Sequence, residues 1–497
     1  METLMYLSIL VPILSGIILL ILPEKKMSRV SLCTAVGVVL SATALLVGFT
    51  LINNTGEMVE VYRLTARLTL AFRIDTVGAV FVSVVSVVWV AAGFFAFTYM
   101  QHEEHEKRYY GFYLIVYGIL IALDFAGNLV TYYACFELMT ICSMPMVLHN
   151  QSKEAIMAGL KYLFYSFFGA YMVLFGFYFL FKYAISLDFV PGGGNVSPIL
   201  MQGHRSLMLV AAFCMIQGFS VKAGMFPLHG WLPTAHPVAP APASAALSGI
   251  IVKAGVLGVV RVIFYLFGTD FLKGTWVQTT CLILALITVF MGSMLAYREK
   301  VLKKRLAYST VSQVSYILFG LFMMNATSFT GSILHVVCHA LIKCALFLVA
   351  GALIFHTGKT GVDDFTGIGK KMPVLLWCYT IVSLGLIGIP PMGGFISKWY
   401  LATGSLEEGT AVFSWLGPVI LLVSALLTAG YLLPITIKGF LPGKNYDVSS
   451  VVHKEPSVCM IVPILVLTVL SVLVGLFPSV LTDVLIPLTE SLFGMTM

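Results

Sequence analysis

Charge is scarce in this chain. Of its 497 residues only 10% are Asp, Glu, Lys or Arg, and 59% are hydrophobic. Soluble domains carry about 25% charged residues. With a mean hydropathy of +0.98, too little polar surface exists to cover a water-soluble globule of this size. That excludes a soluble enzyme, a nucleic-acid binder and a disordered regulator. Cysteine is thin as well. The nine cysteines are scattered, nearly all in apolar runs, and none forms a CxxC pair, so neither an iron–sulfur site nor a disulfide framework is indicated. No Gly-rich phosphate loop follows a strand-like run, and no cofactor is expected in the chain itself. The first apolar run lacks a cationic leader and a small-residue cleavage site, so it reads as a retained span.

What the chain does have is apolar length. Runs fall at 3–22, 28–51, 75–100, 109–126, 128–147, 157–183, 205–227, 241–266, 276–296, 303–325, 329–356, 373–400, 412–438 and 456–480. At ~20 residues per spanning helix they make about fourteen candidate spans of an all-α polytopic membrane protein. The seventh and twelfth are broken. The seventh meets Pro227 and then Pro233, Pro237, Pro240 and Pro242, and the twelfth holds Gly388, Pro390, Pro391, Gly393 and Gly394. Breaks at membrane depth are tolerated only where freed backbone groups find partners, and paired broken helices point to a transport site. Gly218-Phe219-Ser220-Val221-Lys222 also resembles Gly394-Phe395-Ile396-Ser397-Lys398, five spans later. Two inverted five-helix repeats are therefore expected, spans 4–8 and 9–13. The expected divisions are 1–108 for spans 1–3, 109–266 and 267–438 for the repeats, and 439–497 for span 14 and the tail.

The 29 Lys and Arg exceed the 22 Asp and Glu and crowd onto alternate loops. Lys25, Lys26, Arg29, Lys107, Arg108, Lys153, Arg298, Lys300, Lys303, Lys304, Arg305, Lys359, Lys370, Lys371, Lys438, Lys444 and Lys454 share one side. The positive-inside rule then places both termini on the non-cytoplasmic face of a prokaryotic-type inner or cell membrane.

A charge at a helix centre costs ~2.5–3.5 kcal/mol on insertion scales. Glu137, Lys222, Lys253, Lys343 and Lys398 lie deep, with no opposite charge within a turn. Lysine suits proton relay, because burial brings its proton affinity toward neutrality, whereas arginine never releases its proton. His335, His339 and Lys343 stand at i, i+4 and i+8 on one helix face over ~12 Å. A metal is not expected there, since the third group is cationic and no Glu follows His335 in the HExxH manner. Asp124 and Lys161, nearer span ends, are auxiliary candidates, and Arg261 reads equally as a structural ion pair. His229 and His236 after the first break either continue the relay toward water or are polar loop residues. Ser220, Ser248, Ser312 and Ser315 are candidate partners for relay water.

These residues stand in motifs with a familiar order. They are Phe136-Glu137-Leu138-Met139, the stretch Lys222 to His236, Ser248 to Lys253, Lys304 to Gln313, His335-x3-His339-x3-Lys343 and Pro391-Met392-Gly393-Gly394-Phe395-Ile396-Ser397-Lys398. Over about residues 70–400 the chain resembles the antiporter-like membrane subunits. Those are chains L, M and N of respiratory complex I, Mrp antiporter subunits A and D, and membrane subunits of energy-converting hydrogenases. The resemblance implies a proton path. In it Glu137 and Lys222 form a switching pair, Lys253 is the central relay, His335, His339 and Lys343 form the lateral link, and Lys398 ends the second half-channel. Lys398 departs from chain M, which usually has glutamate there, and the chain ends soon after span fourteen, without chain L's lateral helix. The implied partners are other membrane subunits of a hetero-oligomeric complex, further antiporter-like subunits included, together with protons or Na⁺ and the bilayer.

Two other classes compete. A self-sufficient Na⁺/H⁺ antiporter needs oxygen ligands for Na⁺, yet acids suited to that task are scarce in the spans, with only Glu137 and Asp124. A quinone-binding subunit would use the aromatics, 13% of the chain, but such residues ordinarily serve packing and interfacial belts.

Overall fold

The computed structural model describes residues 2–23, 27–65, 67–196, 203–407, 412–443 and 454–494. Lys25, Lys26 and Lys444, which enter the orientation count, lie outside the described residues. The chain folds into α1 (Glu2–Ile21), α2 (Arg29–Ile52), α3 (Thr76–Tyr99), α4 (Glu106–Asp124), α5 (Leu129–Val147), α6 (Lys153–Tyr183) and α7 (Arg205–Ala223). A short α8 (Leu232–Val238) precedes α9 (Ala241–Phe267), followed by α10 (Trp276–Arg298), α11 (Leu302–Met323) and α12 (Ala326–Thr357). Then come α13 (Pro373–Ile387), α14 (Gly393–Glu407), α15 (Phe413–Phe440), α16 (Val458–Leu476) and α17 (Ser479–Phe493).

Every run expected to span is helical. Among the described residues, twelve helices are long and apolar enough to cross a membrane. The other two expected spans differ for physical reasons. Helix α4 carries Glu106, Lys107, Arg108 and Asp124, and the twelfth run is two short helices, α13 and α14. Two elements depart from the sequence reading. Strands β1 (Val59–Arg63) and β2 (Thr69–Phe72) pair antiparallel, Val59 opposite Phe72, in the segment between α2 and α3. A separate helix, α17, follows α16.

Polar side chains begin the helices. Asp75 caps α3 by accepting from the Gly78 amide, Asn128 caps α5 through Thr131, Ser152 caps α6 through Ala155, and Asn325 caps α12 through Ser328. Each cap is worth ~1 kcal/mol. The breaks begin at glycines in the left-handed region, Gly224 (φ 83°) after α7 and Gly388 (φ 92°) after α13.

Burial sorts the helices into a centre and a rim. The most apolar stretch of α9 is wholly buried and those of α11 and α12 are 94% buried, against 33% for α1, α2, α6 and α15. Rim helices therefore turn most of their surface outward, while α9, α11 and α12 pack inside. Lys253, Gln313, His335, His339 and Lys343 all belong to these three central helices.

Candidate functional site: a buried line of lysines and histidines

The repeated Gly-Phe motif has a packing role. A Cβ on Gly218 would stand 2.4 Å from the Gly169 carbonyl oxygen of α6, and one on Gly394 would stand 1.9 Å from that of Gly385 in α13. Only glycine allows these backbone approaches, and each brings the lysine four residues later against the neighbouring helix. The two copies are not equivalent, however. Lys222 precedes its break, at the end of α7, whereas Lys398 follows its break, in the second turn of α14. The two copies share their glycine packing and differ in the side of the break on which the lysine stands.

Lys222 is buried and spends its three N–H donors on hydroxyls: Tyr162 at 2.6 Å, Thr140 at 2.8 Å and Ser166 at 3.1 Å. Its Nζ also lies 4.2 Å from the Tyr162 ring centroid. An ammonium has three donors, so none remains for a direct bond to Glu137. Glu137 stands one turn from Thr140 on α5, and its buried Oε1 has no protein partner. Glu137 and Lys222 thus neighbour the same hydroxyl cluster without a direct contact. At the break, the Trp231 indole donates to the Val221 carbonyl at 2.9 Å. Lys161 donates to Thr234 Oγ1 at 2.9 Å, which ties α6 to α8.

The centre is tighter than the sequence indicates. Residues Leu247–Ile251 of α9 form a π-helical turn, a feature frequent at functional sites. Lys253 Nζ reaches back five residues to the Ser248 carbonyl at 2.6 Å and across to His339 Nδ1 at 2.7 Å. His335 Nδ1 lies 2.8 Å from Ser397 Oγ, which in turn donates to the Gly394 carbonyl. These bonds assign the tautomers. Lys253 donating to His339 leaves that ring a donor at Nε2, and Ser397 accepting from His335 leaves a lone pair at its Nε2. The rings stack 5.9 Å apart at 28°, and neither Nε2 has a protein partner. One water would accept from the first and donate to the second.

Beyond His335 the line reaches α14. Tyr316 stacks on His335 at 5.8 Å, and Lys398 Nζ lies 5.0 Å from the Tyr316 ring centroid. Lys398 donates to the Leu386 and Ile387 carbonyls at 2.6 and 3.0 Å. It therefore caps the freed end of α13, where a cation also meets the negative end of the helix dipole. Lys343 joins by a different thread. Its Nζ and Thr310 Oγ1 share the Leu306 carbonyl at 3.1 and 3.0 Å, and Thr310 Oγ1 lies 2.7 Å from Ser248 Oγ.

Several of the buried polar atoms without protein partners lie along this line. They include Ser220 Oγ, Gln313 Oε1 and Nε2, the Nε2 atoms of His335 and His339, and both ring nitrogens of His236. Buried polar groups are almost always satisfied, and internal water is their usual partner. His236 also stacks on Phe347 at 4.6 Å, one turn beyond Lys343, so it belongs to the line. His229, with an unpartnered Nδ1, stacks on Phe226 in the break.

One expected water partner turns elsewhere, and another is bonded within its own helix. Ser312 bonds Ser293 and the Val289 carbonyl of α10, and Ser315 bonds back to Val311 within α11. Arg261 is a structural ion pair, its guanidinium forked onto the Asp75 carboxylate. Tyr162, Thr310, Tyr316 and Gln313 are site residues the sequence did not single out. Only the face they share with neighbouring polar residues of their helices would have marked them. Among the described residues, no cluster of three or more His, Cys, Asp or Glu is placed to hold a metal ion.

Comparison with known proteins identifies the family. Residues 126–442 match the family described as NADH:quinone oxidoreductase/Mrp antiporter, TM, and residues 64–110 match that of complex I chain 5 N-terminus. The chain is 30% identical over 416 residues, 81% of either chain, to NADH-quinone oxidoreductase subunit N of Desulforudis audaxviator. It is 31% identical over 429 residues to Hydrogenase-4 component B of Escherichia coli, covering 82% of this chain and 63% of that one. In fold it is similar to a chain of the Mrp complex from Dietzia sp., with a TM-score of 0.85 at 20% identity over 99% of this chain and 98% of that one. A multi-pass membrane protein, this chain belongs to the NADH:quinone oxidoreductase/Mrp antiporter family of transmembrane subunits.

Proposed function

We propose that the chain carries protons across the membrane as one subunit of a larger membrane complex, with the driving redox reaction or counter-ion flow in partner chains. The relay runs from Glu137 and Lys222 through Lys253 and the lateral link of Lys343, His339 and His335 to Lys398, with His236 beside Lys343. The observation that carries this reading is the 2.7 Å contact between Lys253 and His339, with His335 stacked beyond it. A buried amine and an imidazole in hydrogen-bond contact pass a proton without large motion.

Three finer readings accompany it. Residues 109–266 and 267–438 form the two inverted units, each contributing one broken span. Both termini lie on the non-cytoplasmic face of an inner or cell membrane, as the distribution of Lys and Arg supports. Glu137 and Lys222 exchange protons through the hydroxyl cluster and water rather than through a direct ion pair.

The test is acidification of vesicles that contain the assembled complex, followed with a ΔpH dye. Lys222→Ala, Glu137→Ala and Glu137→Gln should each remove most transport at normal assembly, the last because only the charge is lost. Near-normal acidification by any of them would defeat the relay's first half.

A further inference from the structure

One side of Lys253 is not accounted for by the relay. Two of its three donors are used, by the Ser248 carbonyl and His339. Beside it lies a small cavity of about 10 Å³, the room one water needs. Its walls are apolar: Phe81 and Val84 of α3, Leu120 of α4, Ile250 of α9 and Val336 of α12. The two exceptions are Lys253 and Asp124. Asp124 is 2% exposed, and its buried Oδ2 has no protein partner. The residue whose carboxyl oxygen lacks a donor and the lysine with a donor to spare thus line one water-sized space.

We infer that Asp124 is a proton-exchange partner of Lys253 through a single water in this cavity, which gives the relay a branch toward the β-hairpin end of the bundle. The inference rests on the relay reading above. In the step, an Nζ–H bond of Lys253 breaks as the water takes the proton, and another O–H of that water passes its proton to Oδ2. An ammonium and a carboxylate become an amine and a carboxylic acid, with no net change in charge. Lys253 is reloaded from the Lys222 side of the relay, and Asp124 returns to carboxylate by releasing its proton toward the hairpin.

The position of Asp124 fits such a branch. It ends α4, two residues before Ala126, which bridges to Phe72 of β2. The same end of the bundle holds Arg261, eight residues beyond Lys253 in α9, clamped to Asp75 at the start of α3. Those charged groups share the hairpin end with Asp124, and every other residue lining the cavity is apolar.

The experiment measures proton transport per assembled complex in vesicles for four variants. Asp124→Asn keeps size and hydrogen bonding but cannot ionise, and should lower the rate at least tenfold. Ala254→Val fills the cavity from its α9 wall and leaves both ionisable groups in place, so it should give a similar loss. Asp124→Glu keeps an ionisable carboxyl at the cavity, and should stay within a few-fold of the wild type. Wild-type rates in Asp124→Asn or in Ala254→Val would overturn the branch, as would equal losses in Asp124→Asn and Asp124→Glu. Lys253→Met separates the two readings: normal transport there would defeat the relay itself, whereas loss there with normal transport in Asp124→Asn would defeat only the branch.

Discussion

Lys253 Nζ and His339 Nδ1 lie 2.7 Å apart, although 86 residues separate them in the chain. The contact joins α9 to α12 at the centre of the bundle and leaves His339 a donor only at Nε2. Two expected relay residues from different helices touch here directly.

That contact makes His339→Gln informative. A glutamine amide accepts from Lys253 and keeps the packing, but does not titrate near neutrality. Removing a positioned acid–base group costs ~10²–10⁴-fold, so transport should fall by about two orders of magnitude while the assembled complex forms normally. Vesicle acidification with parallel native gels checks it, and wild-type rates would leave His339 as a packing residue.

Lys343 offers the same distinction with its charge retained. In Lys343→Arg the guanidinium still donates to the Leu306 carbonyl but does not release a proton at accessible pH. Transport should stop or nearly stop. A thermal unfolding scan of the same preparation should show a stable complex, which separates lost proton transfer from lost structure.

Gly394 supports the second break. A methyl group there would meet the Gly385 carbonyl oxygen at 1.9 Å, so Gly394→Ala must push α14 from α13 and pull Lys398 from the Leu386 and Ile387 carbonyls. Overpacking of this kind costs ~1–3 kcal/mol. The unfolding midpoint should fall together with transport, and Gly394→Ser should behave no better than Gly394→Ala.

His149, in the turn between α5 and α6, gives a pH dependence outside the spans. Burial first, and the neighbouring Arg108 guanidinium second, push its imidazole down to about 4. Its ring packs edge-on to Tyr109 at 5.5 Å with both nitrogens unpartnered. In the unfolded chain the group titrates near ~6.5. Its stabilisation is therefore complete above ~6.5 and is lost as pH falls toward 4, where the folded form also takes the proton. The unfolding midpoint should drop between pH 7 and 5, and His149→Phe should flatten that part of the profile. An equally steep profile in the variant would assign the dependence to other groups.

The sequence by itself determined that the chain spans a membrane, where its long apolar helices run, that two of the spans break, and that the relay lysines and histidines are buried. These follow from local physics. Hydropathy needs no neighbour to act, proline and glycine act on their own backbone, and the i, i+4 spacing sets His335, His339 and Lys343 on one face whatever packs against it. Tertiary structure decided the partners. Lys222 bonds Tyr162, Thr140 and Ser166 rather than Glu137, Ser312 turns toward α10, and Lys398 reaches back over its break to cap α13. Asp124 of α4 and Lys253 of α9 come to line one cavity. No spacing within one helix encodes these pairs. In an apolar solvent helices associate through small residues and close packing, so which polar atoms meet depends on the depth and rotation of each helix against its neighbours.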